Sequence, residues 1–313
     1  MIVSPLQLSK RGVLGMNQRN ADYVMRYNPR RLFPLVDDKL RTKQLAIQAG
    51  IAVPDLYAVI EINHQLKKLD ELLAPHPRVV IKPAHGSGGN GILVITDKLG
   101  HHYKTASGDL ISLNAVRHYI SNILSGMYSL GGLPDQAFLE YCVQFDPVFD
   151  GVSFKGVPDI RVIILKGVPV TAMIRLPTSM SGGKANLHQG AVGVGIDLTT
   201  GLTLCGVIGN LPIDTHPDTY AKVAGMQIPH WDDILHMAVR CADTVGLGYL
   251  GVDIVLDKVL GPLMLELNAR PGLNVQIANQ HGLLTQLQKI EKIASLPKDI
   301  TERVQLARNL AAE

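Results

Sequence analysis

Leu265-Glu266-Leu267-Asn268 alternates apolar and polar residues near the C-terminal end of the chain. In a strand of period two, Glu266 and Asn268 share one face while the leucines turn into a core. Asp253, within Gly251-Val252-Asp253-Ile254, is placed to face them from a partner strand. Two carboxylates and an amide oxygen form an all-oxygen set, which suits a hard cation such as Mg²⁺ bridging phosphate oxygens better than Zn²⁺. An acidic sheet face balanced by nearby Arg270 accounts for the same residues, and on these residues alone the two readings stand level. A second feature is His85-Gly86-Ser87-Gly88-Gly89-Asn90-Gly91, with Lys82 just before it. Such a loop offers backbone N–H groups with little steric hindrance, as phosphate cradles do. It is not GxxxxGK[ST], and it leads into a strand rather than a helix, so neither the P-loop nor the dinucleotide fingerprint applies.

Short strands alternating with amphipathic helices must position these residues, which is an α/β or α+β pattern. A helix is predicted from about Asp38 to Ala49 with Gly50 as its stop, and another from an Asn63 cap through Leu66, Leu69, Leu72 and Leu73. Strands at 78–83 and 92–96 flank the glycine loop as a hairpin. Val116, Ile120, Ile123 and Met127 recur at helical spacing. Phe138–Val143 reads as a strand, 159–165 and 169–176 as a hairpin across Lys166-Gly167, His230–Val245 as a helix, and 249–256 with 263–268 as the hairpin that bears the acidic set.

The 313 residues are 46% hydrophobic and 18% charged, with 30 glycines, which excludes a disordered chain, a coiled coil and a collagen-like repeat. A net charge of +3 is too small and too dispersed for a nucleic-acid binder. Cys142, Cys205 and Cys241 are odd in number, far apart and without CxxC spacing, so neither a disulfide framework nor a zinc site is expected. No apolar run approaches the roughly 18 residues that span a bilayer, and the N-terminus lacks an export signal. A cytoplasmic protein is the expectation.

Several segments carry a family resemblance. Asp38-Lys39 opening a helix that ends near Gly50-Ile51-Ala52-Val53-Pro54, Val80-Ile81-Lys82-Pro83 with the glycine loop, and Leu139-Glu140-Tyr141-Cys142-Val143 resemble the nucleotide-binding half of the ATP-grasp superfamily. Asp159-Ile160-Arg161-Val162, Ala172-Met173-Ile174-Arg175, Lys184-Ala185-Asn186-Leu187-His188-Gln189-Gly190, Gly251-Val252-Asp253-Ile254 and Leu265–Leu273 are similar to the RimK-type α-L-glutamate ligase branch. Single motifs of this kind are weak, but the ordered set is specific, and it covers roughly residues 37 to 285.

The resemblance implies an ATP-grasp fold that sandwiches ATP between two sheets. It places Lys39 and Lys82 on the phosphates, with His85, Gly86, Ser87, Gly88, Gly89 and Gly91 closing over them. Glu140, Tyr141, Cys142 and Val143 would form the hinge whose backbone reads adenine, Asp159 would lie on the ribose side, and Lys184 would stand where a family Arg is common. Arg175 and Asn186 match positions near the transferred phosphate, and Asp253, Glu266 and Asn268 match ligands of two Mg²⁺ ions, with Mn²⁺ as a substitute. Arg161 either joins the catalytic set or grips a substrate carboxylate bidentately. Blander readings stay open: Lys39 as a solvated helix-start lysine, the two arginines as surface members of an exposed hairpin, His85 as a turn-shaping residue, and His188 as structural.

The implied reaction is ATP-dependent carboxylate–amine ligation through an acyl phosphate, on small-molecule or peptide substrates. The alternative is a non-catalytic or regulatory ATP-binding protein. The expected organisation is an N-terminal arm or partial lobe (1–36), a small subdomain (37–137) with an insertion at about 97–135, a large subdomain with the metal site (138–285), and a helical tail (286–313). The insertion reads as a lid, substrate platform or oligomer contact. A homo-oligomer or a partner is expected to complete the N-terminal lobe.

Overall fold

The computed structural model describes residues 4–86 and 88–313. The chain divides into two compact units, one formed by Asp38–Gln44 and Val53–Val143, the other by Met1–Asp37, Leu45–Ala52 and Gln144–Glu313.

The smaller unit is built on an antiparallel sheet of six strands among the described residues: β1 (Leu56–Ile60), β2 (Val79–Pro83), β3 (Leu93–Leu99), β4 (His102–Thr105), β5 (Leu110–Ser112) and β6 (Ala137–Tyr141), in the order β1-β6-β2-β3-β4-β5. Alternation divides its faces. Val79, Ile81, Ala137 and Leu139 pack into a core with Val116, Ile120 and Ile123 of the helix Leu113–Leu124 and with Leu69 and Leu73. Val80 pairs with Glu140 and Lys82 with Phe138, so these four occupy the opposite face. There Phe138 joins Ala84 and Leu40, the latter from the first turn of the helix Lys39–Gln48.

Strand β6 lies between β1 and β2, and the smaller unit runs through Val143. The strands within 97–135 extend the sheet, and Val116, Ile120 and Ile123 are wholly buried in its core. The helix ends at Leu124, and Met127 is exposed. Gly126 explains the stop: its φ is +85°, and a Cβ there would come within 2.3 Å of the Leu133 carbonyl oxygen.

The larger unit carries a seven-stranded antiparallel sheet among the described residues, ordered β11-β10-β9-β8-β7-β12-β13. Its strands are β7 (Asp159–Leu165), β8 (Val168–Leu176), β9 (Val192–Ile196), β10 (Thr203–Ile208), β11 (Leu211–Ile213), β12 (Tyr249–Asp257) and β13 (Gly261–Asn268). Lys166 and Gly167 both have positive φ, as the tight turn between β7 and β8 demands. The helix Trp231–Val245 lays an apolar stripe of Ile234, Leu235, Ala238, Val239 and Ala242 on β7, β8, β12 and β13, burying Ile160, Val162, Val252 and Ile254.

Neither terminal segment stands apart from this unit. Buried Asn28 donates through Nδ2 to the carbonyls of Tyr249 (2.7 Å) and Ala269 (2.8 Å) and accepts from Tyr249 N–H (2.9 Å). The helix Ile300–Ala312 packs on β8 and on the helix Trp231–Val245, with Arg303 paired bidentately to Asp243.

Candidate functional site

In the smaller unit, Glu140 is 2% exposed and receives two cations. Lys43 Nζ lies 2.9 Å away, and Lys82 Nζ forms a second ion pair. Lys43 also donates to the Pro54 carbonyl. Burial alone would raise the Glu140 pKa, but the two ammoniums prevail and hold it below the usual carboxylate range. Burial dominates at Lys43, lowering its pKa despite Glu140. Lys43 was absent from the sequence reading; the available signal was its position four residues after Lys39, on the same helix face.

The glycine loop opens beside this cluster's strand. Lys39 donates its backbone N–H to Ala84 (2.9 Å) and its Nζ to the Gly86 carbonyl. Gly91 has φ +76°, and a Cβ there would meet the Tyr128 ring at 2.7 Å, so this turn tolerates no side chain. Gly88 and Gly89 also have positive φ, while Ser87 lies outside the described residues. His85 rests on Asp135, Nδ1 to Oδ1 2.7 Å, a pairing with no counterpart in the sequence reading. In the candidate hinge, the Tyr141 N–H already donates to Asp55 (2.9 Å), Val143 is half-buried, and burial pushes the Cys142 thiol pKa up.

In the larger unit, register brings the charged residues to one sheet face. Asp253 sits opposite both Glu266 and Arg161, Asp159 opposite Arg175, and Asn268 opposite Gly251. Leu267 is buried on the other side, whereas Leu265 is only half-buried. Arg161 clasps Asp253 bidentately, Nε to Oδ1 2.7 Å and Nη2 to Oδ2 2.6 Å. Arg175 Nη2 donates to Asp253 Oδ2 (2.8 Å) and Asp159 Oδ2 (2.6 Å), and its Nε donates to Asp159 Oδ1. Asn268 Nδ2 completes the set at 3.2 Å from Asp253 Oδ2. The arginines are thus not members of an exposed hairpin surface.

Burial would raise the Asp253 pKa, but Arg161 and Arg175 overcome it and hold it at about 2. At Asp159 burial wins over Arg175, with Asp253 adding repulsion, and its pKa rises to about 6. Two carboxylates in one network are therefore driven apart by environment, as functional sites arrange. The loop residues lie outside this hydrogen-bond network. Lys184 is exposed, Asn186 caps a short turn by accepting from His188 N–H (3.0 Å), and among the described residues no hydrogen bond joins either to the arginines.

A family profile described as sugar-transfer associated ATP-grasp matches residues 18–292. The chain belongs to the sugar-transfer associated ATP-grasp family. This ATP-grasp chain is 26% identical over 236 residues to a probable alpha-L-glutamate ligase of Legionella pneumophila (strain Corby), over 75% of this chain and 56% of that protein. It spans about half the length of the curated relatives it matches. Among solved structures, biotin carboxylase of Campylobacter jejuni in its beta-gamma-ATP complex superposes with a TM-score of 0.50 at 16% identity, over 85% of this chain and 48% of that one. A RimK domain ATP-grasp protein of Sphaerobacter thermophilus gives a TM-score of 0.47 at 12% identity, over 86% and 72%. The fold is α+β ATP-grasp, with its two antiparallel sheets and helices.

The acidic face of this ATP-grasp chain can be tested against a hard cation by its donors. Glu266 and Asn268 are half-buried, and Asn268 turns its Nδ2 toward Asp253, leaving its Oδ1 as an acceptor. Asp253 Oδ2 takes three donors, whereas Oδ1 takes one from Arg161 and retains acceptor capacity. The set fits Mg²⁺ through oxygen alone. Among the described residues, no group of three or more His, Cys, Asp or Glu side chains is arranged to hold a metal ion, and no helix is long and apolar enough to cross a membrane.

Proposed function

We propose that the chain is an ATP-dependent carboxylate–amine ligase that forms an amide through an acyl phosphate. The observation that carries this reading is the single sheet face on which Asp253, Glu266 and Asn268 meet Arg161 and Arg175. Phosphoryl transfer requires positioning and charge neutralisation rather than a protein nucleophile, and this face supplies both. A substrate carboxylate attacks the γ-phosphorus and ADP leaves; an amine then attacks the acyl carbon and phosphate leaves. Mg²⁺ held by Asp253, Glu266 and Asn268 would neutralise phosphate oxygens during the first step. Arg175 and Arg161, preorganised by Asp159 and Asp253, present fixed positive charge to the transferred group, with Asn186 and Lys184 contributed from their loop. Lys39, Lys82 and the glycine loop hold the phosphate tail, and the strand through Glu140 to Val143 reads the adenine. The curated relatives named as glutamate ligases support an amino acid as the amine.

The test traps the acyl phosphate. Mg-ATP, hydroxylamine and pooled carboxylates are incubated with the protein, the pool including uronic acids because of the family's association with sugar transfer. ADP release and a substrate-dependent hydroxamate mass are expected, and both should vanish in Glu266→Gln. ATP binding without ADP or hydroxamate across the pool would overturn the reading in favour of a nucleotide-binding regulator.

A further inference from the structure

The side chain of Asp135 is completely buried, yet it is not neutralised by any Lys or Arg among the described residues. Its hydrogen bonds go to one neighbour and to its own successor. Oδ1 faces His85 Nδ1 at 2.7 Å and accepts from Gln136 N–H at 2.7 Å, while Oδ2 accepts from His85 N–H at 3.1 Å. The Ala84 N–H donates to the Gln136 carbonyl (2.9 Å), so the strand end before the glycine loop is laced to the segment that leads into β6. A buried carboxylate on Nδ1 fixes the imidazole as the Nδ1–H tautomer or as the imidazolium, and fixes its rotation as well.

The other ring nitrogen is the one such an arrangement puts to use. The His85 side chain is 47% exposed, and Nε2 is 3.7 Å from Asp38 Oδ2, beyond hydrogen-bond distance. Asp38 is engaged elsewhere, accepting the Arg41 N–H at the start of its helix (3.0 Å). The same loop mouth holds Lys39, whose ammonium reaches the Gly86 carbonyl, and the glycines that follow. A turn-shaping histidine would need only its backbone bonds to Asp135; an exposed ring braced by a buried carboxylate is the arrangement of a group that must meet a ligand in one orientation.

We propose that Asp135 is a positioning residue that orients His85, so that His85 Nε2 binds a phosphate of the nucleotide tail at the glycine loop. This rests on the ATP-binding reading above and assigns that site a histidine–aspartate pair. The pair selects for the polyphosphate: ATP engages it, whereas AMP lacks the β- and γ-phosphates.

Titration calorimetry on the full-length protein with ATP and with AMP, both with Mg²⁺, tests this. His85→Asn should weaken ATP about tenfold, the worth of one charge-assisted hydrogen bond, and leave AMP unchanged. Asp135→Asn should do the same, and the double variant should lose no more than either single one, because the two act as a unit. Nitrogen-15 spectra of the imidazole should show ATP shifting Nε2 in the wild type and not in Asp135→Asn. If Asp135→Asn fails to fold, the exposed His85→Asn decides alone. ATP affinity unchanged in His85→Asn, or ATP and AMP weakened equally, overturns the pair while leaving the ATP reading intact. A wild type that binds neither nucleotide removes that reading, and the pair's role with it.

Discussion

Glu140 is a carboxylate in a buried strand, and its two lysines make its presence there affordable. Removing it strands the Lys43 ammonium, which is 7% exposed, against apolar surroundings. Breaking a buried pair from one side costs about 3–5 kcal/mol, so Glu140→Gln should lower the urea midpoint at pH 7 by that equivalent. The pH sign follows from the depressed carboxylate. Its contribution is complete above the unfolded value of about 4.3 and is lost as pH falls through the lower folded value. The gap between wild type and Glu140→Gln should therefore narrow from pH 7 toward pH 3; a gap constant across that range would show that the lysines do not need this charge. The same reasoning locates what sequence could and could not give at this scale. Glu140 and Lys82 were recognisable as motif positions and Lys43 was signalled only by helical spacing from Lys39, whereas Asp135 acts through His85, 50 residues away, which spacing does not encode.

Elements were legible where apolar periodicity was strong. The helix Leu113–Leu124 buries Val116, Ile120 and Ile123, as its spacing required, and the hairpins β7–β8 and β12–β13 lie within a residue or two of their predicted ends. Strands β4 and β5 were missed because His102-Tyr103-Lys104-Thr105 and Leu110-Ile111-Ser112 are too short for alternation to stand out: β4 buries only Tyr103 and Thr105, and β5 buries no residue fully. Strand β9 was missed because Gly193 and Gly195 remove the side chains that would mark alternation; a Cβ at Gly193 would strike Leu187 at 2.7 Å. The helix within 97–135 packs into the core of the sheet, and a single truncation tests that role. Ile120→Ala should cost about 2–5 kcal/mol, as for a filled core site, measured as a fall in the apparent unfolding midpoint. A cost below about 1 kcal/mol would return the helix to the status of a detachable platform.

At the scale of the whole chain, the N-terminal segment is where sequence said least. The described residues from 5 to 36 form short helical segments that satisfy most of their own backbone locally and show no long apolar periodicity, and a few distant partners tie them down. Leu14 exchanges hydrogen bonds with the Gln276 side chain, and Leu284 N–H donates to Gly12. Asn28 is the decisive contact. Its amide spans the carbonyls of Tyr249 and Ala269 while its oxygen takes the Tyr249 N–H, so one side chain fastens the entrance of β12 to the exit of β13. Asp253 lies four residues beyond Tyr249, and Asn268 immediately precedes Ala269. The segment that resembled an arm thus fixes both ends of the hairpin that carries the acidic face. Asn28→Ala would leave one buried N–H and two carbonyls without this partner, a loss of about 3–5 kcal/mol. Hydrogen exchange should read the effect locally: amides at 249–253 and 266–270 should exchange faster, while those of Val79–Pro83 keep their wild-type protection. Because Glu266 and Asn268 ride on the loosened strand, hydroxamate formation should fall in the same variant. Unchanged exchange at both strand ends would mean that pairing between β12 and β13 holds the site without help from the N-terminal segment.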